Sequence, residues 1–139
     1  MAKDIFHQAV RDALIQDGWT VTHDPYEIAP IMYRSKLKID LGAEKLIAAE
    51  KLSEKIAVEV KSFLDESPIY EYHLALGQYI NYQIALQRQE PERLLFLAMS
   101  QEAHEYLFSQ ELVQESAELA HIRLIVFDPI NKIITQWRR

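Results

Sequence analysis

Cysteine is missing from all 139 residues. That excludes a disulfide framework and a thiolate metal site, and it suits a cytoplasmic location. Long apolar runs are missing too: the longest, residues 94–99, has six residues, against about 20 for a membrane span. The opening Met1-Ala2-Lys3-Asp4 has no signal-peptide core. No repeat, linker or low-complexity segment interrupts the chain. What remains is ordinary for a soluble protein, with 49% apolar and 26% charged residues. One domain over residues 1–139 is expected, with roughly two thirds of the unfolded surface removed from water.

The net charge of -6 argues against a broad nucleic-acid footprint. Its distribution softens the objection. Residues 34–61 carry seven basic side chains against five acids, whereas residues 90–118 carry seven Glu and one Arg. A solvated charged surface accounts for any single Lys here.

Periodicity divides the chain. Residues 2–16 place Ile5, Phe6, Ala9, Val10, Ala13 and Leu14 on one helical stripe, with Gly18 at the C-terminal cap and His7 beside the stripe. Residues 19–22 predict a first strand, then a turn at His23-Asp24-Pro25. Pro30 makes residues 26–31 an edge segment or loop. Residues 36–41 alternate as a strand, Gly42 marks a bend, and residues 46–51 and 56–61 predict a hairpin. Closed about Ser53-Glu54, that hairpin sets Ala48 opposite Glu59 and Leu46 opposite Lys61.

Ser67-Pro68 predicts the start of a long helix reaching Gln89, with Pro91 beyond it. Its stripes, Ile69/Tyr72/Leu76/Ile80 and Leu74/Gln78/Tyr82/Ala85, predict a helix sandwiched on two faces. Gly77 at its middle predicts close approach of a neighbouring backbone. Residues 93–99 predict a strand buried on both faces, followed by helices at 100–108 and 111–119, a strand at 121–127 and a short one at 133–137. The class is α/β: a mixed sheet flanked by helices, in the order α-β-β-β-α-β plus a C-terminal α-β.

Within the hairpin strand, Ile56, Val58 and Val60 share one face while Ala57, Glu59 and Lys61 share the other. Glu59 and Lys61 therefore stand about 7 Å apart along one surface. Asp40 shares a face with Lys36 and Lys38. Two carboxylates, Asp40 and Glu59, suit one Mg²⁺ or Mn²⁺, which takes hard oxygens and keeps sites for water and phosphate. Lys61 beside them can orient a water or stabilise developing negative charge. The plainer alternative is an exposed strand on which Glu59 and Lys61 form an ion pair.

The element order, with Asp40 ahead of Glu59-Val60-Lys61, resembles the PD-(D/E)xK nuclease superfamily, whose fold is restriction-endonuclease-like. The whole chain is similar to the XisH family, the fdxN element excision controlling factors of cyanobacteria. The match is carried by M-A-K-D-I-F-H-Q-A-V-R-D-A-L-I-Q-D-G-W, I-D-L-G-A-E-K-L-I-A-A-E-K, I-A-V-E-V-K-S-F and A-L-G-Q-Y-I-N-Y. This resemblance implies a nuclease-like core and a role in site-specific excision of a DNA element, with an XisI-family protein as partner. It also implies a triad of Asp40, Glu59 and Lys61, with Gln78 and Tyr82 matching the Gln-x-x-x-Tyr pattern of some superfamily members. Tyr82 packed in the core, with Gln78 incidental, is the competing reading. Residue 39 is Ile where the motif is named for Pro. Because Asp40 and Glu59 are far apart in sequence, Glu50 or the weaker Glu44 is the substitute ligand.

Three functions follow as expectations: a metal-dependent DNA endonuclease acting in excision, a catalytically inactive DNA- or protein-binding module, and a structural oligomer. Tyr70, Tyr72, Tyr79 and Tyr82 leave room for a homodimer or partner interface, with core packing as the default.

Overall fold

The computed structural model describes residues 2–28, 46–64 and 66–139. The expected strand at 36–41, with Asp40, Gly42 and Glu44, lies outside the described residues.

Helix α1 (Ala2–Gln16) buries Ala9, Val10, Ala13 and Leu14. It ends as expected at Gly18, whose φ of +96 is one an L side chain rarely adopts. The Gly18 amide donates to Ile15 O (3.0 Å) and that of Trp19 to Leu14 O (2.9 Å), closing the last turn's carbonyls.

Strand β1 (Thr20–Tyr26) runs straight through the expected His23-Asp24-Pro25 turn. Among the described strands it lies at the sheet edge, where the missing proline N–H is tolerated, and its register with β2 (Leu46–Lys51) shifts twice around that stretch. The hairpin from β2 into β3 (Glu54–Val60) turns at Leu52-Ser53, with Leu52 at φ 57. The register therefore differs from expectation by two residues: Ala48 faces Ala57, and Leu46 faces Glu59. An offset of two keeps every side chain on its expected face.

Helix α2 (Pro68–Gln89) starts where Ser67 Oγ accepts from the Tyr70 amide (3.3 Å), with Pro68 at its first turn. Then follow β4 (Arg93–Ser100), α3 (Gln101–Leu107), α4 (Glu111–Leu119), β5 (Leu124–Asp128) and β6 (Ile133–Arg138). β5 begins three residues later than expected. His121 takes φ 53 and Ile122 donates back to Ala117 O, so these residues finish α4.

The six described strands lie in sequence order, antiparallel towards either end and parallel from β3 through β4 to β5. The expected α/β class with a mixed sheet flanked by helices is therefore observed. Helix α1 covers the face carrying Ile47, Val58, Phe96 and Phe127. The other face, with Leu46, Ala57, Leu95 and Leu97, packs against α2, α3 and α4. No described helix is long and apolar enough to cross a membrane.

Helix α2 departs from the expected sandwich. Its buried face is Tyr72, Ala75, Tyr79, Tyr82, Ala85 and Leu86, so neither expected stripe matches it. Leu74 and Ile80 are exposed. Among the described residues a Cβ added at Gly77 would meet nothing within 4 Å, so none of their backbone approaches it. Tyr72, Tyr79 and Tyr82 are core residues, and of the four tyrosines only Tyr70 is exposed.

Candidate active site

Glu59 is the second-last residue of β3, flanked by Leu46 of β2 and Leu97 of β4. It is fully buried on the sheet face that α2 covers. Lys61 lies just past the strand, where its amide still donates to Ala98 O (3.1 Å) and prolongs the pairing with β4. That extension keeps Lys61 on the Glu59 side of the sheet. Its Nζ lies 3.8 Å from Glu59 Oε2, and 16% of its side chain reaches water against 1% for Glu59.

The result is a carboxylate held inside the molecule with an ammonium at its solvent end. Burying a carboxylate costs several kcal/mol unless charge or hydrogen bonds compensate it. Glu59 is therefore not the outward-facing strand acid of the plainer reading. Two residues past Lys61 the chain bends at Phe63, which is buried with φ 54, a strained conformation for a bulky side chain.

Helix α2 lies above this end of the sheet. Tyr79 donates to Leu95 O (2.9 Å) and accepts from the Arg123 amide (3.0 Å). Burial pushes its hydroxyl pKa up, opposed by hydrogen bonding and charge from Arg123, and the negative charge of Glu59 adds to the rise. Tyr82 packs in the same core layer as Leu46 and Leu97. Gln78, one turn earlier, is half-buried.

Of the other candidates, Asp40 and Glu44 lie outside the described residues. Glu50 shares the face of Glu59 but pairs with Lys55, four positions down the hairpin, or about 13 Å along the strand. There it meets the Arg93 guanidinium at 3.6 Å. The register separates Glu50 from Glu59. His7 bonds Asp24 through Nε2 (2.7 Å), and Arg11 holds the other Asp24 oxygen (2.7 Å), tying α1 to β1. Among the described residues no three His, Asp or Glu side chains converge as a metal cluster.

A second charged centre, at the far end of β3, was not foreseen. Arg93 is buried and grips Glu90 through Nε (2.8 Å) and a terminal nitrogen (3.1 Å), while donating to Ile56 O (3.0 Å). Tyr26 Oη donates to Glu90 (2.8 Å) and accepts from Gln89 (2.9 Å), and its ring lies 5.0 Å from the guanidinium. The Arg93 hydrogen bonds hold the Glu90 carboxyl down at about 2 against its ordinary 4.5, with Tyr26 helping and partial burial opposing. The available signal was an Arg opening a buried strand three residues after a Glu.

The model of the XisH protein family matches residues 1–135. Two solved structures are similar over nearly the whole chain. An XisH family protein from Nostoc punctiforme PCC 73102 is 42% identical with a TM-score of 0.87, covering 98% of this chain and all of its own. A fdxN element excision controlling factor protein from Anabaena variabilis is 40% identical with a TM-score of 0.86, covering 98% of this chain and 99% of its own. No curated protein matches the chain.

Proposed function

The chain belongs to the XisH family, and from that premise we propose that it controls excision of a DNA element through a nuclease-like, metal-dependent site on the restriction-endonuclease-like plan. The Anabaena variabilis relative, described as an excision controlling factor, supports the first half. The observation that carries the second is Glu59, fully buried at the end of a central strand with the Lys61 ammonium 3.8 Å away. A carboxylate inside the sheet, beside a cation that still reaches water, is the kind of environment in which functional acids are found.

The donor chemistry fits a hard divalent cation. Glu59 supplies one oxygen donor, and Asp40, by resemblance, supplies the second; Mg²⁺ or Mn²⁺ would be held between them. When bound, such an ion polarises a phosphodiester and acidifies a water. Lys61 orients that water or stabilises negative charge developing on the phosphoryl oxygens. Gln78 serves as a further polar group from α2. DNA is the substrate on this reading, and an XisI-type protein the partner.

The alternative is a catalytically inactive binding module. The net charge of -6 and the exposed Glu111, Glu115 and Glu118 of α4 favour a protein partner over DNA for that face.

Supercoiled or branched DNA incubated with the protein and Mg²⁺ or Mn²⁺ decides between them. Nicking that Glu59→Gln and Lys61→Ala abolish, with the circular dichroism spectrum unchanged, supports the nuclease. Excision control lost in both variants without any nicking by the wild type supports the binding module.

A further inference from the structure

The outer face of α2 carries a pattern that the fold does not use. Tyr70, Leu74, Ile80 and Ile84 leave 61%, 52%, 43% and 49% of their surface in water. Measured from Gly77 they sit at -7, -3, +3 and +7. At 100° per residue all four fall within about 60° of the Gly77 direction, so they form one stripe centred on that glycine. His73 and Asn81, at -4 and +4, fill the same stripe and are exposed. Beyond the apolar set come opposite charges, Arg88 in the last turn of α2 and Glu66 just ahead of its cap, both exposed.

A surface symmetric about its own midpoint, with unlike charges at its two ends, is complementary to itself turned end for end. That is the requirement of a two-fold interface, in which residue i meets j and j meets i. We infer that α2 is a self-association surface, on which a second copy of this chain packs its own α2 antiparallel, with the two Gly77 residues at the crossing point. Tyr70 of each copy then meets Ile84 of the other, and Leu74 meets Ile80. Glu66 meets Arg88 at both ends. A shallow crossing of about 20° keeps those ends within reach.

The arrangement explains the glycine. A mid-helix Gly weakens the helix, and among the described residues a Cβ there would meet nothing within 4 Å. At a helix crossing it lets two backbones approach closely. The stripe of one helix is smaller than the roughly 800 Å² per partner of a standard interface. The dimer is therefore weak and forms at high protein concentration. This inference is independent of the nuclease proposal.

Sedimentation velocity of the full chain, from nanomolar to millimolar concentration, is the first test, and a monomer-dimer equilibrium is expected. Gly77→Leu should abolish the dimer, because the side chain has room in the monomer but none at the crossing. It should also raise the melting temperature measured on dilute protein, by restoring helix propensity. Glu66→Arg should weaken association at least several-fold, and Glu66→Arg/Arg88→Glu should restore it. Because the chain has no cysteine, oxidised Gly77→Cys should give a covalent dimer that Ser109→Cys, on an exposed turn, does not. A monomer at every concentration overturns the inference, even if another protein is found on the stripe. So does a dimer that survives Gly77→Leu and Leu74→Glu.

Discussion

Strand β3 has a carboxylate near each end of its α2-facing side, and the two are held in different ways. At the far end Glu90 is gripped by two guanidinium hydrogen bonds at 2.8 and 3.1 Å and one from Tyr26 at 2.8 Å, while still touching water. At the near end Glu59 is fully buried, and its ammonium stands 3.8 Å off, longer than a charge-assisted hydrogen bond. The first centre has the form of a lock joining β1, the end of α2 and β4. The second sets a carboxylate in the sheet interior beside a cation of its own strand.

The sharpest way to break this comparison is Arg93→Met. It leaves Glu90 ungripped and removes the cation from beside Tyr26, so a loss of about 3–5 kcal/mol in denaturant unfolding is expected. A loss under about 1 kcal/mol would mean that the far centre is not a lock.

The acid limb of stability should report the same lock. Glu90 titrates at about 2 when folded against its ordinary 4.5, so folding favours its ionised form. The stabilisation is complete above the unfolded value and is lost as pH falls from about 4.5 towards 2. Glu90→Gln should flatten that limb in melting temperature against pH, while leaving the contributions of other carboxylates.

Tyr26→Phe removes one hydrogen bond to Glu90 and should cost about 1 kcal/mol, with the acid limb shifted slightly upward in pH. At the near end, Glu59→Gln exchanges a buried charge for a neutral amide of the same shape. Its stability should change by no more than about 1 kcal/mol in either direction, since buried ion pairs often do no better than neutral replacements. A cost as large as that of Arg93→Met would make Glu59 a second lock and remove the contrast.

Much of the fold is legible because burial imposes a period. The α1 stripe, the Gly18 cap, the Ser67-Pro68 start of α2 and the unbroken run of β4 all appear where their patterns place them. Errors gather where a local signal competes with a partner. Pro25 reads as a turn in isolation but is accepted in an edge strand, and the hairpin could close on either of two neighbouring residue pairs. On α2, Leu74 and Ile80 are as apolar as Leu86, and only packing separates exposed from buried.

The candidate site was legible in kind. Glu59 and Lys61 share a face because strand side chains alternate, and that follows from their spacing alone. The full burial of Glu59, the removal of Glu50 to Arg93 and the meeting of Tyr26 with Glu90 across 64 residues were decided by tertiary structure. Periodicity specifies which way a side chain points, because it is a property of one element. What that side chain meets depends on strand order, register and the helix laid across it, which arise only when separate elements pack.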